Sequence, residues 1–330
     1  MSASVEPTTE NGRSGGTFAA AWYKVTGLPF LNTLIAIIIL YAIISFITGD
    51  TFNTTQNQIT IMRAAAIFLI LAVGQTLVMN TGGIDISTGS MVGVVACLIG
   101  TGMAAGYIPA PLAIPAAILL GALLGAFNGF NITVLGVPPL LATLGTFVAY
   151  RGFAQHYMGA NMVSSVPPLI VDIGRAFFLG LPVAVWIALL VAAMGWFLLA
   201  KTTYGRWLTA IGSNPRAAEA TRINVKAVVA STYVIQGALA GLAALVLMGR
   251  LASASSAMGE GLELHIIAAV VLGGTFLFGG RSTMVGTVLG VYLIGMLENG
   301  LIQTGAGFFI QRIILGLLII AAVALQLRRR

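Results

Sequence analysis

Apolar stretches of nearly uniform length recur along the chain, separated by short polar or glycine- and proline-rich breaks. Residues 28–48, 59–79, 88–106, 111–130, 139–158, 178–200, 227–248, 264–279, 283–302 and 308–327 each approach the run of roughly 20 apolar residues that a bilayer-crossing helix needs. The pattern predicts an all-α membrane protein of about ten transmembrane helices, with broken or re-entrant segments where Gly and Pro interrupt residues 80–140. Residues 1–27 read as a polar tail, 28–327 as one transmembrane domain carrying a hydrophilic loop at 201–226, and 328–330 as a basic terminus.

Composition agrees with the pattern. Of the 330 residues, 58% are hydrophobic and 8% charged, and the mean hydropathy is +1.00. Soluble domains carry about 25% charged residues. Too few charges remain to clothe a water-soluble globule, which excludes a soluble enzyme and a nucleic-acid binder. The net charge of +7 is explained by placement. If both ends lie inside, Arg13, Lys24, Lys201, Arg206, Arg216, Arg222, Lys226, Arg281 and Arg328 to Arg330 all face the cytoplasm. The other five, Arg63, Arg151, Arg175, Arg250 and Arg312, lie mostly near outer ends of spans, an inside bias of the kind the positive-inside rule expects, and Asp50, Asp172, Glu260 and Glu263 fall in or beside outer segments. The single Cys97 excludes disulfides and reads as a small buried hydrophobe.

Two stretches are alike at a distance: SMVGVVACLIG at 90–100 and TMVGTVLGVYLIG at 283–295, each preceded by a Gly-Gly pair. LLGAFNG at 123–129 also matches LIGMLENG at 293–300, in spans running in opposite senses. The opposite senses of that second pair, in the fourth and ninth spans, suit an inverted repeat of spans 2–5 and 7–10. Chance likeness among Gly/Ala/Val/Leu-rich helices is the alternative.

Three segments are candidates for function. The first is 80–90, NTGGIDISTGS, where a cytoplasmic turn with Asp85 or Ser87 capping the next helix is favoured, the segment shaping a pore. At membrane depth, Asp85 would instead have to be paired or face water. The second is Val137-Pro138-Pro139, where Pro139 begins a helix whose Thr143 and Thr146 share one face. Those threonines either bond across helices and line a polar path, or simply pack. The third is 201–226, in which Asn214-Pro215 reads as a helix start and Asn224 as the end of that helix. A solvated loop that binds nothing needs neither this length nor this start, so a docking element is favoured.

What is missing also informs. The three lysines follow Tyr23, Ala200 and Val225, so no GxxxxGK[ST] phosphate loop exists and the chain holds no ATPase site of that kind. There is no HExxH, and His156 and His265 read as packing or interfacial residues beside outer loops. No catalytic and no metal-ligating residue is expected.

GGIDISTGS at 82–90, PPLLATLGT at 138–146, YGRWLTAIGSNPRAAEATRINV at 204–225, AAVVLGGTFLFGGRSTMVGTVLG at 268–290 and LENGL at 297–301 together resemble the permease subunits of bacterial ABC importers for simple sugars, the ribose-type family. Thr88 and Ser213 depart from the Val and Gly common there. The resemblance implies a multi-pass permease of the bacterial inner membrane with both termini cytoplasmic. It implies dimerisation with an identical or paralogous permease, a periplasmic or lipid-anchored sugar-binding protein outside, and cytoplasmic ATPase subunits that hold the ATP and Mg. It further implies an ATPase-coupling loop bearing Tyr204, Gly205, Arg206, Gly212, Asn214, Pro215, Arg216, Ala217, Ala218, Glu219 and Arg222. The expected translocation path comprises Gln75, Asn80, Gly82, Gly83, Asp85, Ser87, Asn128, Pro138, Pro139, Thr143 and Asn299. An ion-coupled secondary transporter is the rival reading, for which only Asp85 and Glu298 could serve as the coupling acid, both near predicted span ends.

Overall fold

The computed structural model describes residues 31–327. The polar tail, the first residues of the first span and Arg328 to Arg330 lie outside them. In chain order the helices are α1 (Leu31–Thr48), α2 (Asp50–Asn53), α3 (Thr55–Asn80), α4 (Thr88–Ala104), α5 (Ala110–Thr133), α6 (Pro139–Met158), α7 (Pro168–Arg175), α8 (Val183–Lys201), α9 (Thr203–Ser213), α10 (Pro215–Ala220), α11 (Val225–Leu251), α12 (Leu262–Leu272), α13 (Met284–Gln303) and α14 (Phe308–Leu327). Four two-residue strands complete the set: β1 (Met162–Val163) pairs antiparallel with β4 (Ala254–Ser255), and β2 (Phe177–Phe178) with β3 (Leu181–Pro182).

All ten apolar stretches contain helix, but among the described residues six helices are long and apolar enough to cross a membrane: α1, α3, α5, α8, α11 and α13. Six of the roughly ten expected spans are met at this length and hydropathy. The 264–279 stretch is helical only over the 11 residues of α12, about 16 Å, roughly half a hydrocarbon core. It stops at Gly273-Gly274, the second with φ +92°. The 178–200 span begins later, at Val183, because Leu179 and Gly180 both take positive φ and close a tight β2–β3 hairpin.

α11 is the axis of the fold and packs most closely on α5. Ala113, Ala117, Gly121, Gly125 and Gly129 recur every fourth residue on α5, opposite Gly237 and Gly241 of α11. A β-carbon at Gly121 would meet the Gly237 carbonyl oxygen at 2.1 Å, and one at Gly241 the Ala117 oxygen at 2.0 Å. In a membrane, where no hydrophobic effect pulls helices together, small residues at this spacing let backbones approach and gain dispersion contact. α3 and α4 pack on other faces of α11, α13 packs on α3, and α12 and α14 close the far side.

Candidate translocation and docking site

The 201–226 segment folds as two helices. Thr202 Oγ1 accepts from Gly205 N at 3.3 Å and starts α9. Asn214 Oδ1 accepts from Ala217 N at 3.1 Å and starts α10, with Pro215 at its first position. Leu208, Ile211 and Ala218 bury one face against Leu77 of α3 and Val228 of α11. Arg206, Pro215, Arg216, Ala217, Glu219 and Arg222 are exposed on the other. Tyr204 is bonded to Ser231 at 2.7 Å; burial pushes its phenol up, which the Ser231 bond partly offsets. Asn224 does not end this helix: it caps α11, accepting from Ala227 N at 3.0 Å. α10 ends instead at Thr221 and Arg222, the latter at φ +64°.

The 201–226 segment touches the end of α3 directly. Asn80 donates from Nδ2 to Thr209 Oγ1 at 3.2 Å, and its carbonyl accepts from Gly280 N at 2.9 Å. A β-carbon at Gly212 would lie 2.0 Å from that carbonyl oxygen, and one at Gly279 would lie 2.7 Å from Gly82 N. Three chain segments therefore meet backbone to backbone, with no room for a methyl group.

From this seam the chain turns into the molecule. Asp85 and Ser87 are buried, so the segment is not a surface turn. Nor does either side chain cap α4; Asp85 Oδ1 instead accepts from Ser87 N at 2.9 Å and Ser87 Oγ at 2.6 Å. Asn128 Nδ2 donates to Ser87 Oγ at 2.7 Å, and Asn128 Oδ1 accepts from Thr146 Oγ1 at 2.7 Å. Thr143 Oγ1 donates to the Ile84 carbonyl at 3.1 Å, and Gln236 Nε2 to Thr88 Oγ1 at 2.8 Å. Gly83 lies beneath the buried Tyr233 hydroxyl, which a β-carbon there would meet at 2.4 Å. A polar chain from Asp85 to Thr146 thus ties the 81–87 loop to α5 and α6, while Gln236 ties α4 to α11. Buried polar groups persist in such surroundings only when hydrogen-bonded.

Asp85, Ser87, Asn128 and Thr143 come together, with Asn80, Gly82 and Gly83 leading to them. Pro138 precedes and Pro139 opens α6, whose first turns carry both threonines. Gln75 is buried higher on α3. Asn299 is not in this group: it donates to Asn57 Oδ1 at 2.8 Å near the start of α3, at the opposite end of that helix. Thr209, Gln236 and Gly280 were not anticipated, although a Gln inside an apolar helix such as α11 is itself a signal. His265 does not merely pack, since its Nε2 pairs with Glu298 Oε1 at 2.5 Å. Cys97 is free and buried. Among the described residues no cluster of His, Cys, Asp and Glu is arranged to hold a metal.

Known proteins resemble this chain over most of its length. The family described as the permease component of the branched-chain amino acid transport system matches residues 57–323. The ribose import permease protein RbsC of Bacillus subtilis is 38% identical over 303 residues, 91% of this chain and 92% of its own. That of Escherichia coli K12 is 35% identical over 333 residues, 98% and 100% of the two chains. The autoinducer 2 import system permease protein LsrC of Escherichia coli is 33% identical over 301 residues, 91% and 87%. No solved structure matches. The chain is a multi-pass membrane protein and belongs to this family of transport permeases.

Proposed function

We propose that the chain is the pore subunit of an ATP-driven importer that moves a small sugar or related polyol into the bacterial cytoplasm by alternating access. ATP and Mg are held by a separate cytoplasmic ATPase, which engages α9 and α10. A sugar-binding protein delivers solute from outside, and a second permease, identical or paralogous, completes the pore. The termini and the 201–226 segment face the cytoplasm.

The observation that carries this reading is the docking segment itself. A chain without a phosphate loop presents two capped helices, exposed on one face and seamed through Gly212 and Asn80 to a buried polar loop. ATPase closure moves α9, the seam shifts the end of α3, and the Asp85 to Thr146 chain exchanges partners. Only differential contacts in the two states are needed. The helix pairs support an inverted repeat of spans 2–5 and 7–10: α3 with α13 answers α11 with α5, and α4 with α6 answers α12 with α14.

Proteoliposomes holding the permease and its co-purified ATPase, given a sugar-binding protein, test the reading. D-ribose uptake that requires ATP and survives collapse of ion gradients supports it. Uptake driven by a proton or sodium gradient without ATP assigns the chain to the ion-coupled class.

A further inference from the structure

α12 is an 11-residue rod with positive-φ glycines just outside each end, Gly259 and Gly261 before it and Gly274 after it. Its two ends are held very differently. At the end nearer α9, a β-carbon at Gly290 of α13 would sit 2.0 Å from the Ala269 carbonyl oxygen, and one at Gly273 would sit 2.3 Å from that of Gly286. Thr33 of α1 donates to the Leu272 carbonyl at 2.6 Å, and Gln326 of α14 donates to that of Val271 at 3.0 Å. The chain then runs on to Gly279 and Gly280, which lie in the seam with Asn80 and Gly212.

At the far end, among the described residues, one side-chain pair ties α12 to another helix: His265 Nε2 and Glu298 Oε1 of α13, 2.5 Å apart. Glu263, in the same turn, packs on Gly89 of α4, where its Oε2 has no hydrogen-bond partner. The imidazole is held in place for its one partner. Its Nδ1 donates to the Gly261 carbonyl at 2.7 Å, and its ring stacks on Phe68 of α3 with centroids 5.6 Å apart and planes 8° apart. His265 stands two turns from Gly273 and Glu298 two turns from Gly290, about 12 Å along each helix. A small pivot at the glycine seam is therefore magnified at the pair.

The pair is also a partition. A cavity of about 310 Å³ lies on one side, between α6, α12, α13 and α14, and one of about 250 Å³ on the other, between α3, α11, α12 and α13. Glu298 is the lining residue common to both. His265 faces the first cavity, and Phe68, beneath its ring, faces the second. Arg312 lines the first and Arg250 the second, so a released Glu298 carboxylate has a cation on either side and is not left as an uncompensated charge.

We infer that the far ends of α12 and α13 form a gate, hinged at the glycine seam of Gly273, Gly286 and Gly290 and latched by the His265–Glu298 pair, whose release joins the two cavities. The inference rests on the importer reading and names the device by which the side away from the ATPase opens. Because the hinge continues into Gly279 and Gly280, motion of α9 reaches it along the backbone.

The test places spin labels at Leu264→Cys and Thr304→Cys, exposed positions at the far ends of α12 and α13, in a Cys97→Ala background. Double electron–electron resonance on the permease–ATPase complex in lipid nanodiscs reads their separation, and the latched chain gives one short distance. His265→Phe keeps a ring on Phe68 but removes the bond, and Glu298→Leu removes it from the other side. Each moves the closed-to-open ratio toward a longer distance by about tenfold, the loss of one charge-assisted hydrogen bond. Glu298→Gln, which still bonds the imidazole, stays near the unaltered distance. Joining His265→Cys to Glu298→Cys with a short reducible bis-thiosulfonate stops ATP-driven D-ribose uptake, and reductant restores it. If Glu298→Leu does not fold, His265→Phe and the linked pair carry the test. Unchanged distances in the folded variants, or full uptake while linked, overturns the gate. The distances need neither ATP nor sugar: a shift without any ATP-driven uptake keeps the gate and removes the importer.

Discussion

Gly212 of α9 packs so closely on Asn80 at the end of α3 that a β-carbon there would sit 2.0 Å from the Asn80 carbonyl oxygen. Backbone against backbone leaves no compliance, so α9 and the end of α3 move together or separate. Asn80 leads within a few residues to buried Asp85, so this contact joins α9 to the polar interior.

Gly212→Ala forces that seam apart. The expected cost is about 1–3 kcal/mol, as for other overpacked sites. Thr209→Val removes only the hydrogen bond to Asn80 and costs about 1 kcal/mol. Thermal unfolding in detergent ranks the two, and the reverse order contradicts the packing account.

Asn128 is the hinge of the buried polar chain, giving to Ser87 and taking from Thr146. Asn128→Ala removes one bond from each neighbour, Ser87 keeping its bond to Asp85 and Thr146 its bond to the Ala142 carbonyl, and destabilises by about 1–2 kcal/mol. Since Thr146→Val removes one of the same bonds, the double variant loses less than the sum of the singles. A double-mutant cycle by thermal unfolding measures this; strict additivity contradicts a shared network.

Gly237→Ala brings a methyl group to 2.1 Å from the Gly121 oxygen and wedges α5 from α11. A melting-temperature drop is expected, with Gly237→Leu failing to yield folded protein at all. The exposed Gly145, with nothing within 4 Å of a β-carbon, takes Ala without such loss. Equal effects at both positions contradict the close α5–α11 contact.

Asp85→Asn keeps a carbonyl oxygen to accept from Ser87 N and Oγ. Folding and ATP-driven uptake survive in this variant, whereas Asp85→Leu loses both acceptors and the fold. Folded Asp85→Asn protein with no uptake would assign the carboxylate a proton-carrying role and favour ion coupling.

Much of this architecture is legible in the apolar runs, because lipid forces any spanning stretch into a helix. The Asn214-Pro215 start of α10 is legible for a local reason, the amide side chain reaching the free N–H three residues on. The 81–87 loop is not, because the partners that make burial tolerable, Asn128 and Thr143, lie far along the sequence. Polar residues among glycines then read as a turn at the surface. α9 left a fainter trace in the Thr202 cap and in Leu208 and Ile211, three apart on the buried face. Asn299 misled because its Asn-Gly context matches that of Asn128, while its helix carries it to the other end of α3.

The most direct test is to purify the tagged protein from native membranes in mild detergent and identify what accompanies it. The purification is then repeated with Asn214 to Glu219 replaced by Gly and Ser. The account predicts a soluble ATPase with the unaltered chain and its loss from the altered one, which still elutes as folded permease. No ATPase with the unaltered chain, even after crosslinking, contradicts it.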